Sequence, residues 1–389
     1  MNWHYRCATC DTTYAIAPGR YLCDQCAQLQ QADRPLQGIL EAHWDGDAPA
    51  PGAIPLPVEA AWFPSIPVGN TPLWAPERLR GDFAAPKLWL KDDTCNPSGS
   101  FKDRASYLVA AFARKYGLGE IVLASTGNAA SSMAAVGAAA GLKVKVFLPA
   151  SAPVAKRIQV LQYGAELVSV DGTYDQAFDL SLEYSGETGA LSRNTAYNPL
   201  TIEGKKTVAF EIVDDLLKVD AGVPGHVFVP VGDGVILAGV YRGFENLVKL
   251  GRIAKVPVIW ACQAEGSSAI ARAWASPHCA SDAFGPPQRS RTVADSIAVD
   301  VPRNGLHALG KLRRYGGQAV TVSDGEILAA QKTLAAGSGL FAEPSSSAAF
   351  AGWLKVRARL PAEENCVVLI TGSGLKDIAS AAQGLGVKL

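Results

Sequence analysis

The feature that most constrains this chain is a repeated switch between two hydrophobic periods. Short apolar runs, each ending in glycine or a hydroxyl residue, are followed by stretches with helical spacing. "EIVLAS" precedes "NAASSMAAVGAAAG", "KVKVFLPA" precedes "PVAKRIQVLQYG", and "HVFVPVGDG" precedes "VILAGVYRGFENLVKLG". "AELVSVDG", "VPVIWACQAEG" and "NCVVLITGSG" are further apolar strands with glycine at the exit. Such alternation predicts an α/β fold with parallel sheets flanked by helices. Ligands of such sheets bind beyond the carboxyl ends of the strands, where loops lead into helices. The glycine-rich strand exits are therefore the places to look for chemistry.

A chain of 389 residues can build two or three domains. Hydrophobic residues make up 48% and charged ones 19%, which suits a large buried core. Lys+Arg and Asp+Glu number 36 each, and this balance argues against nucleic acid or an anionic membrane as the main partner. No apolar run of about 18 residues occurs, so no membrane span is expected. The start, "MNWHYRCATC", lacks a basic segment followed by an apolar one, so a cytoplasmic protein with reduced thiols is expected.

Cys7, Cys10, Cys23 and Cys26 read C-x2-C-x12-C-x2-C. Four thiolates at this spacing can close a tetrahedral zinc site. No histidine or carboxylate is left as an open ligand, so a bound metal would be structural. It would replace a core that ~25 residues cannot build. Cys95, Cys262, Cys279 and Cys366 are scattered and are expected to pack in the core. Residues 31 to 60 are rich in Pro, Gly and Ala and read as a linker or wrapping segment.

Three strand exits carry candidate site residues. In "STGNAASS", the amides and hydroxyls of Ser125, Thr126, Gly127, Asn128 and Ala129 can receive a carboxylate at a helix start. The same residue types also serve as ordinary helix caps. In "PVGDGVILAG", the amides of Gly232, Asp233, Gly234, Val235 and Ile236 can form a phosphate cup. Asp233 sits poorly beside a dianion and is expected to cap the helix with its carboxylate turned away. In "ITGSGLKD", Thr371 and Ser373 are hydroxyls that can meet a ring nitrogen or simply cap a turn. A fourth element is "NPSGSFKDRAS", which places Lys102 between turn formers and a helical run. A helix start disfavours the charged amine, which suits a lysine held for covalent chemistry.

Together these pieces match the needs of pyridoxal phosphate acting on an amino acid. "VGNTPL", "KLWLKDDTCNPSGSFKDR", "STGNAASS", "IEGKKTVAFEI", "FAEPSSSAA" and "TGSGLKD" resemble the threonine synthase family, from about Gly69 to about Asp377. The resemblance implies a two-domain fold type II pyridoxal-phosphate enzyme, tryptophan synthase beta-like, with an N-terminal zinc ribbon. It implies a ribbon over 1–30, a large domain over 31–92 and 205–389, and a small mobile domain over 93–204. It implies a homodimer. By resemblance, Lys102 joins the cofactor and shuttles protons, Phe101 packs beside the ring, and Asn128 bonds its phenolic oxygen. Residues 125 to 129 hold the substrate carboxylate, residues 232 to 236 hold the cofactor phosphate, and Thr371 faces the pyridine nitrogen.

The implied reaction turns O-phospho-L-homoserine and water into L-threonine and phosphate. The chain departs from the family at one point. A segment like "NPYRLEGQKT" usually carries an arginine for the substrate phosphate, and here "NPLTIEGKKT" has Thr201 in its place. Lys156, Lys205, Lys206 and Arg303 are the cations that could compensate. Glu203 and Lys205 could be site residues or a solvated helix start. His226 and His278 read as structural or surface residues. Related activities are a cysteate synthase-like replacement on O-phosphoserine and a β-eliminating ammonia-lyase of the serine/threonine dehydratase or diaminopropionate lyase type. An inactive scaffold with a binding role is the non-enzyme reading, and an intact Lys102 counts against it.

Overall fold

The computed structural model describes residues 1–47, 49–50, 52–150, 154–278 and 282–388, with backbone alone for 154–156. Among them no helix is long and apolar enough to cross a membrane. Thirteen strands form three sheets among the described residues. They are β1 (Asn2–Cys7), β2 (Thr13–Ala15), β3 (Leu40–Asp45), β4 (Leu73–Trp74), β5 (Leu88–Asp92), β6 (Glu120–Ala124), β7 (Lys143–Pro149), β8 (Glu166–Val170), β9 (Leu191–Ser192), β10 (Pro224–Pro230), β11 (Val258–Ala264), β12 (Gln318–Val322) and β13 (Asn365–Ile370). The chain divides into two compact units, one of 1–30, 37–69 and 96–207, the other of 31–36, 70–95 and 208–389.

The first unit has a parallel sheet of order β8-β7-β6-β9 and an antiparallel sheet of order β2-β1-β3. The two share a core. Tyr5, Cys7, Cys23, Cys26, Leu40 and Ala42 pack in one cluster with residues of helix Asp103–Lys115, β6 and helix Asn128–Ala140. The helix after β6 is made of small residues because it lies close to the sheet. A Cβ on Gly137 would stand 2.3 Å from Val144 Cγ2. Likewise, a Cβ on Gly204 would stand 2.4 Å from the Arg104 carbonyl oxygen, so the "IEGKK" segment meets the Asp103–Lys115 helix backbone to backbone. β3 lies inside the stretch that reads as a linker. It is buried on both faces, so it lacks the alternation that marks a strand with one wet side.

The second unit has a six-stranded sheet of order β12-β11-β10-β13-β5-β4, parallel except for the β4 edge. Its fully buried Lys91 donates to the Thr71 carbonyl at 2.6 Å and pairs with Glu211 at 2.9 Å and Asp215 at 3.1 Å. Glu211 also accepts from the amides of Asn70 and Thr71, which ties "GNTPL" to helix Thr207–Lys218. Cys262 and Cys366 are core residues as expected. Cys95 is not: it is exposed, with its thiol on Asp92, because it lies in a turn at the end of β5. Cys279 lies outside the described residues. His226 is buried, accepts a hydrogen bond from Trp260, and has its pKa lowered by burial, while His278 is exposed.

Candidate active site

In the first unit the turn before Lys102 is built by its own neighbours. Gly99 adopts φ +77°, and its amide donates to Asn96 O at 2.7 Å. Asp103 is fully buried and accepts both the amide and the hydroxyl of Ser98. This loop-back puts Lys102 at the N-cap of helix Asp103–Lys115, half-buried, with no side-chain cap on that helix. Phe101 is fully buried, and the Arg104 guanidinium lies 5.5 Å from its ring centroid.

The exit of β6 leads through Ser125, Thr126 and Gly127 into helix Asn128–Ala140. The capping alternative is not what this helix uses. Its N-cap is Gly127, with no side-chain cap bond, while the Ser125 hydroxyl accepts from the Gly127 amide at 3.2 Å. The first amides of such a helix have no intrahelical acceptor. Asn128 and Ala129 carry two of them, and the Asn128 side chain is buried.

Beside β6, the parallel β9 exits on the same side. The Arg193 amide donates to Val122 O at 2.8 Å, and Asn194 Oδ1 accepts from the Ala124 amide at 2.8 Å. The segment that follows turns inward. Thr201 is fully buried, with its hydroxyl on Asn198 O at 2.8 Å. Lys205 is also fully buried and donates to the Thr201 carbonyl at 2.7 Å. Lys206 pairs with buried Glu203 and lies over the rings of Trp3 and Trp44. Glu203 and Lys206 thus form an interior pair, and the burial of Glu203 and Lys205 rules out a solvated helix start. The side chain of Lys156 lies outside the described residues.

In the second unit the exit of β10 is a tightly packed glycine turn. Gly234 has φ +87° and is the N-cap of helix Val235–Lys249. A Cβ on Gly232 would stand 2.8 Å from Ile297 Cα, and one on Gly234 2.7 Å from Ala308 Cβ. Val235 and Ile236 are buried, yet the helix has no side-chain cap. A buried helix start with open amides calls for an anion. Asp233 does not cap its own helix. Its carboxylate accepts from the Arg303 amide and its carbonyl from the Asn304 amide, both at 3.1 Å. This fixes the 302–305 turn and keeps the carboxylate engaged elsewhere.

Thr371, at the exit of β13, is largely buried, and its amide donates to Ser346 Oγ at 2.7 Å. Ser373 instead accepts from the Leu375 amide at 3.3 Å and serves as a turn cap. Reasoning from sequence did not single out Asn304, Ser346 or Arg193. The runs "VPRNG", "EPSSS" and "SRNT" are polar stretches beside strand exits and hold the available signal.

The four clustered cysteines have sulfurs within 4.8 Å of one another. Cys7 and Cys26 are 3.8 Å apart, and Cys10 and Cys23 3.6 Å. A tetrahedron with Zn–S bonds of about 2.3 Å has edges of about 3.8 Å. The donor set therefore fits zinc, with the Thr9 amide and the Tyr14 hydroxyl donating to two of the sulfurs.

The pyridoxal-phosphate dependent enzyme family matches residues 65–372. A threonine synthase of Methanosarcina acetivorans is 35% identical over 382 residues, covering 96% of this chain and 92% of the relative. A threonine synthase of Mycobacterium tuberculosis is 32% identical, covering 90% and 92%. Among solved structures, the processed form of threonine deaminase isoform 2 from Solanum lycopersicum gives a TM-score of 0.68 at 23% identity, over 81% of this chain and 87% of that one. Maize serine racemase gives 0.68 at 20% identity, over 82% and 92%. These structural likenesses bear on the fold.

Proposed function

Since the chain belongs to the pyridoxal-phosphate dependent enzymes, and within them to the threonine synthase family, we propose that it converts O-phospho-L-homoserine and water into L-threonine and phosphate. The observation that carries the reading is the buried helix start at Gly234, open to an anion and closed to any side chain larger than glycine. When bound, pyridoxal phosphate supplies an electron sink for charge left on carbon when a proton departs.

The chain's own residues would do the rest. Amides of residues 232 to 236 would hold the cofactor phosphate in the field of the Val235–Lys249 helix. Lys102 would join the cofactor and then carry protons at its Nζ. Its place at a helix start favours the neutral amine that this work needs. Phe101 would pack against the ring, and Asn128 would bond the phenolic oxygen. Residues 125 to 129 would hold the substrate carboxylate. Thr371 would face the ring nitrogen with a hydroxyl, which has no charge to force protonation there. The four cysteines would hold structural zinc, and the protein would work as a cytoplasmic homodimer.

A second reading is favoured by one observation. Thr201 stands where the family's phosphate-binding arginine is usual, and Lys205 and Lys206 are engaged inside the unit. Replacement at O-phosphoserine by sulfite, as in cysteate synthases, would suit a different phosphate grip. Holoenzyme assayed with each phosphorylated amino acid separates the two. Equimolar threonine and phosphate from O-phospho-L-homoserine is the expected result. Phosphate release confined to O-phosphoserine would overturn it.

A further inference from the structure

The first unit contains a buried cation that the structure leaves incompletely paired. Arg193 is fully buried. Its Nε donates to Ser106 Oγ at 3.3 Å and its Nη1 to Thr195 Oγ1 at 2.8 Å. Its Nη2 has no hydrogen-bond partner among the described residues. Both partners are neutral hydroxyls. Burial lowers its pKa to about 10, and Tyr174 and the Asp103 carboxylate, whose oxygens accept from Ser98, offset this only in part. A buried cation hydrogen-bonded only to neutral hydroxyls is a costly arrangement for stability alone.

The position of Arg193 is informative. It follows β9, which lies beside β6 with paired residues Ile121↔Leu191 and Val122↔Ser192. Neighbouring strands are about 4.8 Å apart. The exit that bears Thr195 therefore adjoins the exit that bears residues 125 to 129, at the carboxyl edge where ligands of such sheets bind. Thr195 is half-buried, whereas the guanidinium that bonds it is fully buried. Because its oxygen accepts from Arg193, its own proton is directed to another acceptor, and the bond it receives makes it a stronger donor. Arg193 bonds the helix that follows Lys102 and, through Ser106, is linked to the helix that begins at Asn128. Ser106 lies four residues after Lys102, and it accepts from Ser132, four residues after Asn128, at 2.7 Å.

We propose that Arg193, acting through the Thr195 hydroxyl, supplies the positive charge that holds the substrate's phosphate in this chain, in the role vacated at Thr201. Arg193 is a positioning residue in this scheme, and Thr195 is the group that meets the anion. The inference rests on the threonine synthase reading and deepens it.

The test uses holoenzyme, so that the cofactor's own phosphate fills the Gly232–Ile236 cup. KM and kcat for O-phospho-L-homoserine, and binding of inorganic phosphate, are measured for the unmodified protein, Arg193→Met and Thr195→Val. Arg193→Met should raise KM and the phosphate Kd by about 10- to 100-fold, with a smaller fall in kcat, as for loss of a charged hydrogen bond. Thr195→Val should weaken both in the same direction. Arg193→Lys should recover part of the loss. The thermal midpoint of Arg193→Met should not fall, because a buried charge with neutral partners is removed.

Unchanged KM and phosphate Kd in Thr195→Val and Arg193→Met overturn the proposal, as does an unmodified holoenzyme that binds no phosphate. If Arg193→Met fails to fold, Thr195→Val decides. If the unmodified enzyme spares O-phospho-L-homoserine but binds phosphate in a way that either variant abolishes, the reaction assignment falls and the role of Arg193 stands.

Discussion

The helices at Gly234 and Asn128 both begin at strand exits without a side-chain cap, and they begin differently. The helix at Gly234 starts from a glycine at φ +87°, with buried residues after it and an Asp233–Arg303–Asn304 turn locked beside it. The helix at Asn128 starts from Gly127 at negative φ, with half-buried hydroxyl residues before it. On the reading proposed above, the first would hold the cofactor's phosphate and the second the substrate's carboxylate. The same backbone resource, open amides at the positive end of a helix, would then serve two ligands, set apart by what surrounds it.

Gly234→Ala should break the comparison most severely. It forces a Cβ into a left-handed conformation and to 2.7 Å from Ala308 Cβ. Strain and overpacking together predict a stability loss of about 2–5 kcal/mol. A fluorescence titration should show cofactor affinity reduced by about 100-fold or more. Equal cofactor affinity in this variant would show that the cup does not hold phosphate.

Removal of metal from the four-cysteine cluster should have the next largest effect. Cys7, Cys23 and Cys26 pack in the core that contains the Asp103–Lys115 helix. Chelation should lower the thermal midpoint by roughly 5 °C or more, and added zinc should restore it. A chelator-insensitive midpoint would mean that the sheet of β1, β2 and β3 stands without metal.

Asn128→Ala should separate the two helix starts. The bond to the cofactor's phenolic oxygen is lost, so the visible absorbance should shift and kcat should fall about 10-fold, while the Gly232–Ile236 turn keeps the cofactor bound. Ser373→Ala should do least. Its hydroxyl caps only the Leu375 amide, so a change in stability of about 1 kcal/mol and kcat/KM within about threefold are expected. Thr371→Val, at the neighbouring buried hydroxyl, should reduce kcat more than Ser373→Ala. A reversed ranking would exchange the roles of the two residues.

Much of this architecture was legible from periodicity. The strands and helices around the three exits lie where the apolar runs and glycines put them, because each strand there is short, apolar and followed by a helical pattern. β3 was hidden because burial on both faces removed its alternation, and its partner β1 lies more than 30 residues away by sequence position. Cys95 misled because a cysteine among hydrophobic neighbours in sequence can still sit on an exposed turn. Asp233 was expected to cap its helix and instead clamps residues 303 and 304, a bond that spans about 70 positions and leaves no local signal. Arg193 was beyond reach for a similar reason. Its hydroxyl partners come from the helix that follows Lys102 and from its own loop, and its unpaired nitrogen is defined only once they are assembled.

The most direct measurement is to reduce the cofactor-loaded enzyme with borohydride, digest it and map the labelled peptide by mass spectrometry. A pyridoxyl group on Lys102 is the predicted outcome, with loss of the visible absorbance in Lys102→Ala. A label on any other lysine, or an unchanged spectrum in that variant, would contradict the account.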